Sequence, residues 1–428
     1  MKSNQNPADS LSGWPKSLEG DLVWSGTGSS PAEPHILQLQ PVDIAEIEAA
    51  LKAFKELGFH GDRVSCDTFR LSDDLRSRLR EASRDVHNKQ GHCILRGLEP
   101  NKYSAEDNAM IFLGIASYIG DVRGVQDSNG SMLSHITVVR QWKAVPDRLR
   151  HGVHTEQGMP FHNDMGTSVL ALHYRQCATE GGFTHLSSAW TVYNELSVKY
   201  PDVLETLATP DWPIQITKTK SRYYLAPLIE YHNGKLVISL DPGRLGRQTP
   251  NKEYTATTKY PPFLGNGNNN DNNQNKDKCD GASEVPILTD KQNAALDTLN
   301  KVANQHRLSV PARPGDMLFV NNWALLHARD PYMDGGANDR RHLVRVWLHD
   351  QELSWDPPDS MKTPWAAAFG HRFPEAVEQV GGGPHRRNKV NHKYPIMPAV
   401  DYHVPKYTAG SAAFTIDSSD DEDDSHLQ

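Results

Sequence analysis

The chain has 428 residues, 37% of them hydrophobic, enough for one large β-rich domain with elaborations or for two ordinary domains. Of its formal net charge of −8, six negative charges belong to Asp417, Asp420, Asp421, Glu422, Asp423 and Asp424. The body is therefore near neutral and lacks the basic footprint of a nucleic-acid binder. No run approaches the roughly 20 apolar residues that cross a bilayer, and the polar start, Met1 to Pro15, has no apolar core of a secretory signal. The four cysteines, Cys66, Cys93, Cys177 and Cys279, are too scattered for a disulfide framework or a zinc ribbon. Free thiols in a reducing cytoplasmic setting are the expectation.

Residues 1–35, rich in Ser, Pro and Gly, read as a flexible arm. Helical spacing then begins. Asp43 can cap a segment in which Ile44, Ile47, Leu51 and Phe54 recur on one face and Gly58 ends the run. A second helix starts near Ser72, with Leu75, Leu79, Ala82 and Val86 aligned and Gly91 beyond its end; a third follows Ser104, with Asp107 three residues on. A short strand, Cys93 to Leu95, lies between them.

From about residue 132 the period changes to two. Ile136 to Val139 and Ser168 to Leu172 are β-rich, and Tyr223 to Tyr231 and Leu236 to Leu240 flank His232-Asn233-Gly234, a hairpin signal. A helix over Asp290 to Gln305 is capped by Thr289. The turn Pro314-Gly315-Asp316 then feeds a strand Met317 to Val320, and Leu343 to Leu348 forms a last strand. The Asn- and Asp-rich stretch from Gly265, bounded as residues 265–284, reads as a disordered insertion, and residues 411–428 as a disordered acidic tail. Helices followed by many short strands predict one α+β, mainly β domain over residues 36–410: an antiparallel double-sheet barrel with helical buttresses.

Two histidines and one carboxylate on one face leave room at a metal for a bidentate cosubstrate and oxygen. The sequence form is His-x-Asp on a strand, where residues i and i+2 share a face, plus a distant histidine. Three His-x-acid candidates occur: His60-Gly61-Asp62, His154-Thr155-Glu156 and His162-Asn163-Asp164. The first two sit in loop-like, glycine-flanked contexts; the third runs into the strand that begins near Ser168 and is the best placed. The segment Asn321 to Arg329 supplies His327, although a histidine at a strand end is, taken alone, more often a hydrogen-bonded core residue. In Arg341 to Leu348, alternation puts Arg341, Leu343, Arg345 and Trp347 on one face of a strand that reads as covered on both sides. Two arginines there need anions. The anions are either internal Asp or Glu partners, or a cosubstrate and a substrate. Trp323 and Trp347 either line the pocket or pack in the core. The basic cluster His385-Arg386-Arg387 with Lys389 reads as solvated surface, and the serines of the acidic tail as solubility elements or acid-directed phosphorylation sites.

Phe161-His162-Asn163-Asp164, Gly181-Gly182-Phe183-Thr184, the His327 segment and the two arginines four apart resemble, in that order, the taurine dioxygenase (TauD/TfdA-like) family over roughly residues 92–350. The resemblance implies a double-stranded β-helix (jelly-roll) core and a dioxygenase using iron(II), 2-oxoglutarate and O2. It also implies His162, Asp164 and His327 as metal ligands, Thr184 and Arg341 as 2-oxoglutarate contacts, and Arg345 as the anchor of a small-molecule substrate bearing a carboxylate or sulfonate. The interval between His327 and Arg341, with its Gly335-Gly336 loop, reads as longer than in bacterial members, and the N-terminal helices and Asn-rich insertion look private to a subgroup. Taurine itself is therefore not inferred. With a carboxylate at Asp164, hydroxylation is favoured over halogenation. The rival readings are a non-catalytic jelly-roll binding protein and a redox-neutral metal enzyme on a cupin-like barrel; the paired arginines speak against the second. A serine hydrolase lacks its G-x-S-x-G elbow, and a nicotinamide enzyme its G-x-G-x-x-G.

Overall fold

The computed structural model describes residues 11–127, 130–138, 152–217, 222–246, 285–335 and 340–373. Its centre is a seven-stranded sheet ordered Ile36–Gln38, His92–Arg96, Met317–Asn321, Val169–Gln176, His342–His349 and Val122–Arg123, with Leu133–Thr137 also pairing His342–His349. Every pairing in it is antiparallel except that of Ile36–Gln38 with His92–Arg96. A four-stranded antiparallel sheet, ordered Leu308–Ser309, Thr184–Ser188, Leu325–Arg329 and Met159–His162, makes the second layer.

Alternation along the strands sorts the side chains into layers. Val169, Ala171, Phe319, Val344, Val346 and Leu348 join an outer core with the helices Pro41–Glu56, Asp73–Asn88 and Ala105–Ala116. Leu170, Leu172, Leu318, Val320, Leu343 and Trp347 turn the other way, toward Leu186 and Leu325 of the second sheet. Beyond that sheet, Leu326 and Ala328 pack against the helices Ala189–Lys199, Pro201–Ala208 and Asp290–Gln305. The order is helices, large sheet, small sheet, helices. Each fully buried Leu or Phe in these cores contributes about 1.5–3 kcal/mol.

The expected helices form with the expected signals. Ser72 and Ser104 accept from the backbone N–H groups of Leu75 and Asp107, and Thr289 accepts from Gln292 at 3.2 Å. Asp43 is not the cap of the first helix but its third residue; its carboxylate accepts from the Gln40 N–H at 2.7 Å. The hairpin turn has Asn233 at φ 50° and Gly234 at φ 77°, both left-handed as a two-residue I′ turn requires. The residues before it split, because Arg222–Ala226 pairs with Trp212–Thr217 while only Ile229–His232 pairs with Lys235–Ile238. At Gly315, φ is +95° and an added Cβ would meet the Leu98 carbonyl oxygen at 1.8 Å, so only glycine fits. The next residue, Asp316, accepts two bonds from Arg96 at 2.9 and 2.7 Å, tying the turn to the neighbouring strand.

The arm expected to hang loose is docked over residues 11–35. Leu18, Leu22 and Trp24 are buried, and Trp24 donates its indole N–H to the Gln90 carbonyl at 2.9 Å. Composition alone suggested freedom, but a few apolar residues among the Ser and Gly are enough to anchor the segment. The helices Ala189–Lys199, Pro201–Ala208 and Lys362–Phe369 were not foreseen. The Asn-rich insertion, the cluster around Arg386, Cys279 and the acidic tail lie outside the described residues. Cys66, Cys93 and Cys177 are free thiols, and no helix among the described residues is long and apolar enough to cross a membrane.

Candidate active site

Antiparallel pairing of Leu325–Arg329 with Met159–His162 sets His327 directly opposite His162. Their ring centroids lie 4.2 Å apart. The strand ends at His162, so Asp164 does not share a face with it by strand alternation, as the sequence reading expected; Asp164 stands in the following turn. Two buried asparagines hold that turn. Asn163 donates to the carbonyls of Ile238 and Asn322, both at 2.7 Å, and accepts from the Leu240 N–H. Asn322 accepts from the Asp164 N–H at 3.0 Å and donates to the carbonyls of Asp164 and Thr167 at 2.6 and 3.0 Å.

The result is a cluster in which one donor atom from each of His162, Asp164 and His327 lies within 4.8 Å of the others, and no other such group of three occurs among the described residues. His60-Gly61-Asp62 forms an exposed turn. His154 is turned away, with Nδ1 donating to the Thr137 carbonyl at 3.2 Å. His162 donates from Nδ1 to the Pro160 carbonyl at 2.7 Å, which leaves Nε2 as the lone-pair nitrogen, the tautomer a metal takes. Nε2 of His327 lies 3.8 Å from Oδ1 of Asp164. Burial, reinforced by the neighbouring His162, pushes His327 down to about 3, so its imidazole stays neutral.

Oδ2 of Asp164 accepts from Arg345 Nη1 at 3.0 Å and from Trp347 Nε1 at 2.7 Å. Burial alone would raise the pKa of this carboxyl. The Arg345 charge above all, with the Trp347 bond, outweighs it and holds Asp164 below its ordinary value. Arg345 is fixed in turn by Gln126, whose Oε1 accepts from Nε at 2.7 Å. The internal-partner reading of this arginine is thus realised, on the carboxylate of the candidate metal cluster. Trp323 and Trp347 are both core residues, 1% and 3% exposed, and of the two Trp347 also reaches the cluster, through its bond to Asp164.

The same cavity is lined by Thr184, Arg329 and Arg345 from three strands and by Arg341, just before the strand His342–His349, with Ile136, Leu170, Leu172 and Leu343 as apolar walls. Tyr174 donates its hydroxyl to Thr184 Oγ1 at 2.8 Å, so the Thr184 proton is free to be given to an acceptor. Arg341 is buried, 3% exposed, and its Nη1 has no partner. Its side chain packs on Gly182, where φ is +67° and an added Cβ would meet the Arg341 Cδ and Nε at 3.1 Å. Two imidazoles and a carboxylate suit a divalent metal, and a buried arginine with an open donor beside a free hydroxyl suits a carboxylate ligand. Sequence reading did not single out Arg329, Gln126 or the aromatic ring of Tyr332, which lies 5.3 Å from the Arg341 guanidinium carbon. The pattern His327-Ala328-Arg329 carried the signal for Arg329, since i and i+2 share a strand face.

Residues 38–347 match the family described as taurine catabolism dioxygenase TauD, TfdA family. A taurine hydroxylase-like protein from Stachybotrys chartarum is 31% identical over 363 residues, 84% of this chain and 86% of that protein. An FR-33289 synthase from Streptomyces rubellomurinus is 23% identical over 60% of this chain and 69% of its own length. Among solved structures, an asparagine oxygenase in complex with Fe(II), 3-hydroxyasparagine and succinate superposes with a TM-score of 0.54 at 15% identity, covering 74% of this chain and 93% of that one. That likeness is one of fold.

Proposed function

The chain belongs to the taurine catabolism dioxygenase TauD, TfdA family, and from that premise we propose that His162, Asp164 and His327 hold its iron(II) and that Thr184 and Arg341 seat the distal carboxylate of 2-oxoglutarate. It is a dioxygenase, an oxidoreductase that uses iron(II), 2-oxoglutarate and O2. Bound together, these supply the oxidation of a substrate C–H bond with release of succinate and CO2. The reaction we favour is hydroxylation of a small organic molecule bearing a carboxylate or sulfonate. The hydroxylase and oxygenase names of the relative and of the fold neighbour agree with this, as does the cationic lining of the cavity. The two packed sheets fit a jelly-roll architecture, and the three cores, which take in Leu18, Leu22 and Trp24 of the docked arm, support one catalytic domain over the described residues.

The observation that carries this reading is the meeting of three metal-type donors within 4.8 Å in a cavity that also holds an unpartnered arginine donor. The residues divide the work. Pro160 and the two asparagines orient His162 and Asp164; Arg345 and Trp347 keep Asp164 ionised. The apolar walls keep water away from the reacting bond. Arg345 also lines the cavity, and in this reading it faces the acidic group of the substrate in addition to holding Asp164. The test is anaerobic titration of metal-free protein with iron(II) and 2-oxoglutarate. A visible charge-transfer band that is lost in His162→Ala supports the assignment; iron bound with full affinity by that variant overturns it.

A further inference from the structure

Arg329 ends the strand Leu325–Arg329, two residues beyond His327, and shares its inward face, since Leu326 and Ala328 pack into the outer helical core. It stands opposite Thr184 on one neighbouring strand and Met159 on the other. It is only 5% exposed and lines the same cavity as Thr184 and Arg341. Its Nη2 donates to the carbonyls of Gly152 at 3.0 Å, Thr155 at 2.9 Å and Gln157. Its Nε and Nη1 have no partner, nor has the Tyr332 hydroxyl or Nη1 of Arg341. The guanidinium carbons of Arg329 and Arg341 lie 5.1 and 5.3 Å from the Tyr332 ring centre. Among the described residues neither arginine has a carboxylate in an ion pair. Two buried like charges at one end of a cavity, with donors left open, are costly unless an anion occupies the space between them.

We propose that Arg329 is a second cation on the distal carboxylate of 2-oxoglutarate, joining Arg341 and Thr184 and linking that carboxylate to the 152–157 segment. The inference rests on the reading that Thr184 and Arg341 form the cosubstrate seat. It assigns the two edges of one guanidinium different tasks. Nη2 pins the segment that carries Val153 into the cavity wall, while the remaining donors meet the anion. Cosubstrate binding then steadies the arginine and with it the segment it already holds.

The test compares 2-oxoglutarate with 2-oxopentanoate, which has the same keto-acid end but no distal carboxylate. Their affinities for the iron(II)-loaded protein are measured anaerobically by calorimetry. Arg329→Gln is expected to weaken 2-oxoglutarate roughly tenfold, the scale of one lost charge-assisted hydrogen bond, and to leave 2-oxopentanoate unchanged. Equal weakening of both, or of neither, overturns the proposal. Arg341→Gln serves as the reference: if it too leaves the preference intact, the seat itself has been misread. If it contracts the preference and Arg329→Gln does not, only the present inference fails. Hydrogen exchange on the wild-type protein gives a second measurement independent of any variant's folding. Amides of residues 152–157 should be slowed by 2-oxoglutarate more than by saturating 2-oxopentanoate, and equal protection by the two overturns the link.

Discussion

Arg345 Nη1 lies 3.0 Å from Oδ2 of Asp164, while Oδ1 of the same carboxylate faces His327 Nε2 at 3.8 Å. The two oxygens thus have separate duties, one held by the protein and one turned toward the cluster. We predict that Arg345→Met weakens iron(II) binding about 10–100-fold, the usual effect of removing an outer partner of a metal ligand. Asp164 is held below its ordinary pKa chiefly by this arginine against the opposing effect of burial. The acid limb of iron binding should therefore move to higher pH in the variant. Iron affinity measured from pH 5 to 8 checks both; an unchanged profile would show that the bond is incidental.

His162→Ala and His327→Ala should each abolish iron binding with the fold retained, because each imidazole has little else to do. His327 Nδ1 has no hydrogen-bond partner, and His162 bonds only a carbonyl two residues away. Metal analysis after desalting, alongside circular dichroism, decides the matter. Stoichiometric iron in either variant would remove that residue from the ligand set.

Gly182→Ala should weaken 2-oxoglutarate binding more than iron binding. At φ +67° an alanine is strained by roughly 1–3 kcal/mol, and its methyl would press on Arg341 Cδ and Nε. Equilibrium titrations with each ligand separate the two effects. A loss confined to iron would place the glycine with the metal cluster instead.

Asn322→Ala removes the acceptor of the Asp164 N–H and the donor to two carbonyls. Each buried group left unpaired costs about 1–3 kcal/mol. A fall in melting temperature together with weaker iron binding is the expected result. A variant as stable as wild type would mean that the turn holds itself.

The structure also predicts how stability depends on pH away from the metal cluster. Burial pushes His92 and His349 to about 4 and His173 to about 3. In the unfolded chain these histidines titrate near 6.5. Above that pH both states are neutral at these sites and the three contribute nothing. Below it the unfolded state takes up protons that the folded state refuses, so stability falls by roughly 1.4 kcal/mol per pH unit for each histidine until the folded values are reached. The melting temperature should be level near neutrality and drop between about pH 6.5 and 4. A flat profile across that window would show that these side chains are not buried as described.

Much of this was legible because it depends on short-range chemistry. Ser72, Ser104 and Thr289 announced helices by their capping geometry, Asn233-Gly234 announced a turn that needs positive φ, and the apolar split of Leu343 to Leu348 announced a strand covered on both faces. His162, Asp164 and His327 were legible as types at a spacing, and their meeting needed the pairing of two strands 165 residues apart in sequence. What escaped notice depended on partners across the chain. Ala189–Lys199 takes its cap from the last residue of a strand, Ser188, and Pro201 opens the next helix one residue after its end, so the run shows no clean start or stop. Nothing local distinguishes an arginine that meets an internal carboxylate from one that meets a ligand; Arg345 and Arg341 differ only in what the fold brings beside them.

The docked arm has a consequence for how the chain is made. The Leu22 and Trp24 carbonyls accept from the Ser188 and Thr191 hydroxyls, and the Gly26 N–H donates to the His306 carbonyl at 3.0 Å. Beyond the nearby Gln90 carbonyl, this segment therefore has partners from 166 residues downstream onward, and those bonds must wait until that part of the chain is synthesised. Closing so long a loop comes late in folding. We expect the arm to close last, as a latch over paired sheets, so that a chain begun at residue 36 completes the sheets and leaves their seam unfastened.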